Sequence, residues 1–232
     1  MSDQPILPGP PGPEFLRPTR YIDFDRPEVR AFAEEAAAGA DTDGARAIRL
    51  FAAVRNGIRY DAYRCRMEER TFRASTVVAE RAGFCMPKAI LLCAAARAVG
   101  IPSALGLAEV VNHLMTEKLV RLLEGETRAF HGYALLYLDG RWVALSPAFD
   151  SGLCAKFGVA TLDFDGRSDA LLHAYDGKGR QFMEYDSYLG VHADVPFDDI
   201  VDRMHRYYPT FFELVHAGKI GSSFAEDAPH VA

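Results

Sequence analysis

The segment FHGYALLYLDGRWVALSPAF, residues 130–149, constrains the fold of this 232-residue chain more than any other part of it. Two apolar runs flank Asp139-Gly140, and an Asp-Gly step between such runs is typical of a two-residue turn joining antiparallel strands. A turn of this kind places residue 138 opposite 141, 135 opposite 144, 133 opposite 146, and 131 opposite 148. Both faces of the hairpin are largely apolar, so we expect it to lie inside an antiparallel sheet that is covered on both sides.

A second marked segment is RAGFCMPKAILLCAAARAVGIP, residues 81–102. Pro87 suits the first turn of a helix, Gly100 suits its C-terminal cap, and Pro102 prevents continuation, which predicts a helix over residues 86–99 with Cys85 at its start. A helix N-terminus favours a thiolate through its partial positive charge and unpaired amides. Cysteine is also among the most buried residue types, so position alone leaves a packing role for Cys85 open.

A nucleophilic thiol needs a base, and His131 at the start of the hairpin is the candidate. A buried histidine there needs partners for both ring nitrogens. Ser146 and Asp150 both lie diagonal to it if the ladder of the hairpin continues that far. We prefer Asp150 because a carboxylate also stabilises an imidazolium by its charge, with Ser146 as the alternative. Asp150 before Ser151-Gly152 equally suits a helix N-cap.

The rest of the chain divides into four segments. Residues 1–25 form a proline-rich arm, and residues 26–150 form the core, with two helices before residue 60 and a strand at SALGLAEVV. Residues 151–222 are a helical elaboration of the same domain, and residues 223–232 are a loose tail. Beyond residue 150 we predict helices near 151–158 and 197–217.

Composition and motifs exclude several classes of function. The formal charge of −6 without a long basic block argues against nucleic acid and other anionic partners. The longest apolar run, AILLCAAA, is too short to cross a bilayer and no leader is visible, so we expect a soluble, cytoplasmic protein without membrane contact. The four cysteines lack metal-ligand spacing, and no GxGxxG, P-loop or HExxH pattern occurs, so we expect free thiols, no metal and no cofactor.

The order of these features resembles the transglutaminase-like superfamily of papain-related cysteine enzymes, from about Arg46 to Asp150. The family places its cysteine at a helix start after a glycine, which corresponds to Cys85, and its histidine at the opening of an aromatic-rich strand, which corresponds to His131. Its third residue is usually an aspartate directly before Pro-Thr, whereas here Ser146 precedes Pro147-Ala148. The resemblance implies an α+β, papain/transglutaminase-like fold, with the nucleophile-bearing helix packed on an antiparallel β-sheet.

The resulting hypothesis is a cysteine-dependent amide hydrolase, a peptidase or amidase acting on a peptide or protein substrate through a thioester on Cys85. The backbone amide of Cys85 and a second, unidentified donor would hold the oxyanion, and Phe84 and Tyr133 would line the substrate groove. The first alternative is a catalytically silent relative that binds a peptide or a partner protein in the same groove. Further alternatives are protein-glutamine acyl transfer and, ranked lower, arylamine acyl transfer. The sequence predicts no oligomeric state.

Overall fold

The computed structural model describes residues 7–113, 115–124, 128–172, 179, 182–220 and 223–227, which form an α+β fold as predicted. The helices are α1 Pro27–Ala37, α2 Asp43–Gly57, α3 Ala74–Glu80, α4 Cys85–Ala98, α5 Glu117–Leu122, α6 Ser151–Phe157, α7 Phe197–Tyr207, α8 Pro209–His216 and α9 Phe224–Asp227. The strands are β1 Arg59–Tyr60, β2 Ala82–Gly83, β3 Ser103–Asn112, β4 Arg128–Leu138, β5 Arg141–Leu145 and β6 Met183–His192.

The main sheet has the strand order β5-β4-β3-β6, and each neighbouring pair is antiparallel. The predicted hairpin is present as β4 and β5, with residue 138 opposite 141 and 135 opposite 144. However, β5 ends at Leu145, so the expected pairs 133/146 and 131/148 do not form. The backbone N–H of Ser146 instead donates to Ala170 O at 2.8 Å, and the following Pro147 has no N–H to donate to a ladder.

The segment 151–222, predicted as helical, also supplies β6, which pairs with β3 at the edge of the sheet. Most side chains of β6 are only half-buried and its register shifts twice, so its sequence lacks the clear alternation that marks a strand. The single helix predicted over 197–217 is two helices. Because Pro209 occupies the first turn of α8, the chain breaks at Tyr208.

Helix α4 forms the centre of the core, since every residue from Cys85 to Arg97 is buried. One side packs on β4, and α1, α2 and α3 surround the others. Gly132 of β4 makes the contact possible, because a Cβ at this position would lie 2.5 Å from Met86 Cγ and 3.0 Å from Met86 Cα. The absence of a side chain at residue 132 thus sets the first turn of α4 directly on the strand that carries His131.

The proline-rich arm covers the opposite face of the sheet. Phe15 packs edge-on against Trp142 at 5.2 Å between ring centroids, and Trp142 Nε1 donates to Gly9 O at 2.9 Å. Trp142 belongs to a small apolar cluster on this face that also contains Tyr133 and Leu135 of β4. Both faces of the hairpin are therefore covered, as its two apolar sides predicted.

The end of the described chain is packed rather than loose. Residues 223–227 were predicted to belong to a loose tail, but they contain α9, whose Phe224 is buried against Tyr60 and Tyr63. A buried aromatic side chain explains the difference, because it anchors a short polar segment. Residues 228–232 of the predicted tail lie outside the described residues. Within the described ranges, no helix combines the length and apolar character needed to cross a bilayer.

Candidate active site

Cys85 is the first residue of α4, and its sulfur lies against the backbone of β4. Sγ donates to Phe130 O at 3.9 Å, and the backbone amide of Gly132 hydrogen-bonds to the sulfur. Phe130 and Gly132 flank His131 in the sequence. The structure therefore packs the helix start against the histidine-bearing strand, as the fold prediction expected, and the sulfur contacts the backbone of that strand.

The early end of β5 explains why the sulfur can reach this position. In a strand, the C=O of one residue and the N–H two residues later point to the same edge. Because β5 ends opposite Ala134, residues 130–132 of β4 have no β5 partner. The thiol of Cys85 occupies this stretch of strand edge.

His131 is buried, and its ring makes two contacts that orient it. Nε2 lies 3.1 Å from Ser146 Oγ, and the ring meets Tyr185 of β6 edge-on at 5.8 Å between centroids. Burial lowers the pKa of His131 to about 4, because the charged imidazolium loses its hydration. At neutral pH the ring is uncharged.

The third predicted residue, Asp150, lies elsewhere. Its Oδ1 accepts from the Leu153 N–H at 2.9 Å and so caps α6, and its Oδ2 accepts from the Tyr60 N–H at 3.2 Å. The expectation that Asp150 orients His131 does not match this geometry, because the ladder that would have carried it toward the ring ends at Leu145. Ser146, the alternative, lies within hydrogen-bond distance of the imidazole.

The electrostatics of the Cys85 thiol combine two opposed effects. Burial raises its pKa to about 11, whereas the backbone amides of Gly132, Met86 and Cys85 itself act to lower it. Burial is the larger effect. In this conformation the site thus holds a protonated thiol and a neutral imidazole.

The two predicted groove residues differ in position. Phe84 lines a cavity of about 360 Å³ next to the start of α4, together with Gly83 and Pro87. Tyr133 is fully buried on the other face of the sheet, where its ring fills the space over Gly106. The expectation that Tyr133 lines the groove does not match this structure, because its ring has no exposed surface.

Lys88 supports the start of α4. It is fully buried one turn after Cys85, and its Nζ donates to Arg55 O at 2.9 Å and to Ile58 O at 2.6 Å. These carbonyls lie at the C-terminal end of α2, so Lys88 ties that end to the first turn of α4. Burial lowers the pKa of Lys88 to about 7, while Asp150 opposes this shift.

Tyr185 is the site residue that sequence analysis missed. It stacks on Tyr188 at 5.8 Å and meets His131 edge-on, so β6 closes the outward side of the histidine. No sequence signal identified it, because β6 was not predicted as a strand. Across the described residues, no three His, Cys, Asp or Glu side chains converge as metal ligands would.

Comparison with known proteins gives a consistent result. The sequence profile of the transglutaminase-like superfamily matches residues 30–147, just over half of the chain. Among solved structures, a candidate cysteine protease from Cytophaga hutchinsonii is 18% identical with a TM-score of 0.47, covering 77% of this chain and 53% of its own. A candidate protease from Parabacteroides distasonis ATCC 8503 is 19% identical with a TM-score of 0.35, covering 50% of this chain and 22% of its own.

This chain thus spans about half the length of the first of these proteins and about a fifth of the second. No curated protein matches it. The profile begins within α1 and extends through α5 and the whole β4–β5 hairpin, so it includes Cys85, His131 and Ser146. The chain belongs to the transglutaminase-like superfamily.

Proposed function

We propose that this protein is a cysteine-dependent amide hydrolase that acts on a peptide or protein, with Cys85 as nucleophile, His131 as base and acid, and Ser146 as the residue that orients His131. One observation carries the proposal: the sulfur of Cys85 lies against the backbone on both sides of His131, whose Nε2 is 3.1 Å from Ser146 Oγ. Membership of a family of cysteine enzymes supports it.

The reaction begins with the neutral pair. As Sγ attacks the amide carbonyl carbon, His131 accepts the thiol proton, the C–S bond forms, and the carbonyl π electrons move to oxygen. The backbone N–H of Cys85 hydrogen-bonds the oxyanion together with a second donor. The imidazolium then protonates the amide nitrogen, the C–N bond breaks, and a thioester remains on Cys85. Water, deprotonated by His131, hydrolyses this thioester and restores the thiol.

Ser146 acts on the tautomer of His131. If the Nε2–H donates to Ser146 Oγ, the Nδ1 lone pair is left to accept the thiol proton. A serine provides no full negative charge for the imidazolium, so this third position stabilises the charged ring less than an aspartate would. We therefore expect a slower enzyme than one with a carboxylate at residue 146.

A catalytically silent peptide-binding protein is the second candidate. The burial of both Cys85 and His131 favours this candidate. Burial raises the pKa of the thiol and lowers the pKa of the imidazole, and both shifts disfavour the charged thiolate–imidazolium pair. Within the described part of the chain, the hydrogen-bond partner of His131 is a serine and not a carboxylate, which favours it as well.

Turnover of a fluorogenic peptide library separates the two candidates. The hydrolase proposal expects cleavage by the wild type that falls by at least about 10³-fold in Cys85→Ala and in His131→Ala. Mass spectrometry of the reacting protein should find the acyl group on Cys85 and not on Cys93, which is buried in the middle of α4. No cleavage by the wild type, or undiminished cleavage by Cys85→Ala, would overturn the proposal.

A further inference from the structure

A cavity of about 360 Å³ lies beside the nucleophile and carries an unusual set of charges. Its inner wall is Gly83, Phe84 and Pro87, the residues that immediately surround Cys85 in the sequence. Cys85 itself is not part of the lining, but Phe84 precedes it directly, so a substrate bound at Cys85 would lie near this wall. The cavity is therefore placed to contact the part of the substrate next to the reacting bond.

The outer wall of the cavity is basic, although the chain as a whole has a formal charge of −6. Three arginines line it, namely Arg64, Arg66 and Arg70, supplied by the segment that carries two short 3-10 helices, Ala62–Arg64 and Glu69–Phe72. The lining also contains two carboxylates, Asp61 and Glu80. Positive groups therefore exceed negative groups along this wall.

Among the described residues, the ion pairs of this wall leave one arginine without a carboxylate partner. Glu80 accepts from Arg64 at 2.5 Å, and Asp61 accepts from Arg59 at 3.1 Å. Arg70 contacts Glu68 at 3.1 Å, with both side chains largely exposed. Arg66 is exposed at the cavity, and no carboxylate in the described part of the chain pairs with it.

We propose that this cavity binds a carboxylate of the peptide substrate, with Arg66 as the main contact. The inference rests on the proposed function, since it names the substrate class of that site. A guanidinium matches the two oxygens of a carboxylate in a bidentate hydrogen-bonded pair. Because Arg70 and Glu68 form an exposed pair of little net stability, Arg70 can contribute to the same carboxylate at small cost. The hydroxyls of Thr71 and Thr76 add hydrogen-bond donors to the wall.

The carboxylate can come from a glutamate or aspartate side chain or from the C-terminus of a peptide. The net charge of the protein disfavours strongly acidic chains at long range, so selectivity must come from a single carboxylate held at short range. The proposed substrate is thus a peptide with one carboxylate near the amide that is cleaved.

Peptide binding to the Cys85→Ala protein tests the carboxylate preference of the cavity without requiring turnover. The probes are fluorescein-labelled peptides with the frame Ala-Ala-Ala-Ala-amide, with Glu or Gln at each position in turn, and the same frame ending in a free carboxylate. We expect at least one Glu peptide, or the free-carboxylate peptide, to bind roughly five- to tenfold more tightly than its neutral partner. This difference in affinity should become smaller at high salt. The two arms identify which carboxylate is used.

Arginine variants give the matched controls. Arg66→Gln should remove the preference, Arg66→Lys should restore part of it, and Arg46→Gln, at an arginine of α2 outside the cavity, should leave it unchanged. Equal binding of charged and neutral probes, no binding of any probe, or a preference that survives Arg66→Gln would overturn the inference. Carboxylate-selective binding without turnover in the wild type would instead overturn the hydrolase proposal and leave the binding site standing.

Discussion

The Nε2 atom of His131 lies 3.1 Å from the hydroxyl of Ser146, a residue that follows the last residue of β5. Ser146 is held there by its own backbone N–H, which donates to Ala170 O. The carboxylate that could have replaced it, Asp150, accepts from the backbone at both of its oxygens. A serine therefore lies beside the imidazole, where we propose the third residue of the site.

Replacing Ser146 by alanine should lower kcat/KM by about 10- to 100-fold, because the imidazole loses the partner that fixes its tautomer. Asp150→Asn should lower the rate less than Ser146→Ala, since asparagine keeps the N-cap of α6 and loses only the acceptor for the Tyr60 N–H. Steady-state kinetics with a cleaved peptide compares the two. A large loss in the asparagine variant alone would return the catalytic role to Asp150.

Replacing Gly132 by alanine should separate α4 from β4. The new Cβ would lie 3.0 Å from Met86 Cα, so the first turn of the helix must move, at a cost of about 1–3 kcal/mol in the free energy of unfolding. We expect turnover to be lost along with stability. Gly57→Ala, at the end of α2 where a Cβ meets nothing within 4 Å, is the matched control and should keep both. Urea denaturation measures the first effect, and a fully stable Gly132→Ala protein would contradict the packing described.

Lys88→Met should change how stability depends on pH. The native pKa of Lys88 is lowered to about 7 from 10.5, so between these values the unfolded chain binds more protons than the folded one. The free energy of unfolding of the wild type should therefore rise with pH across this window, and that rise should be absent from the variant. Urea titrations at several pH values measure the difference between the two proteins. Curves that stay parallel would show that Lys88 keeps its ordinary pKa.

His131→Asn should change how the stability of the protein depends on pH under acidic conditions. The native pKa of His131 is lowered to about 4 from 6.5, so the unfolded chain binds more protons between these values. The stability contributed by the neutral ring is present above about pH 6.5 and is lost as the pH falls toward 4. The asparagine variant should lose less stability than the wild type over this interval. An identical acid profile for both proteins, measured by thermal unfolding, would contradict the burial of the imidazole.

Phe224→Ala should expose Cys85. The ring of Phe224 meets Tyr60 and Tyr63 edge-on at 5.5 and 5.6 Å, and the thiol of Cys85 is close enough to Tyr60 to help raise its pKa. Removing the ring should speed iodoacetamide labelling of Cys85 by roughly tenfold through easier local opening. Labelling of Cys93, whose sulfur donates to Ala104 O inside the core, should not change. Equal acceleration at both thiols would indicate general unfolding instead of an uncovered site.

Local sequence signals were sufficient for the elements that carry Cys85 and His131. Pro87, Gly100 and Pro102 predicted the helix that α4 forms, and Asp139-Gly140 predicted the β4–β5 turn and its first pairs. These signals work because capping and turn geometry depend on a few neighbouring residues. Strand β6 was missed because a half-buried edge strand with register shifts has no regular alternation to detect.

The sequence by itself thus determined the helix start at Cys85, the hairpin that carries His131, and the family to which the chain belongs. Tertiary structure alone decided that β5 stops at Leu145, that Ser146 meets the imidazole, and that Asp150 caps α6. The physical reason is that the Ser146 N–H donates to Ala170 O, an acceptor 24 residues later in the chain. Local sequence patterns do not predict where a strand changes its hydrogen-bond partner, because the new partner is distant in the sequence.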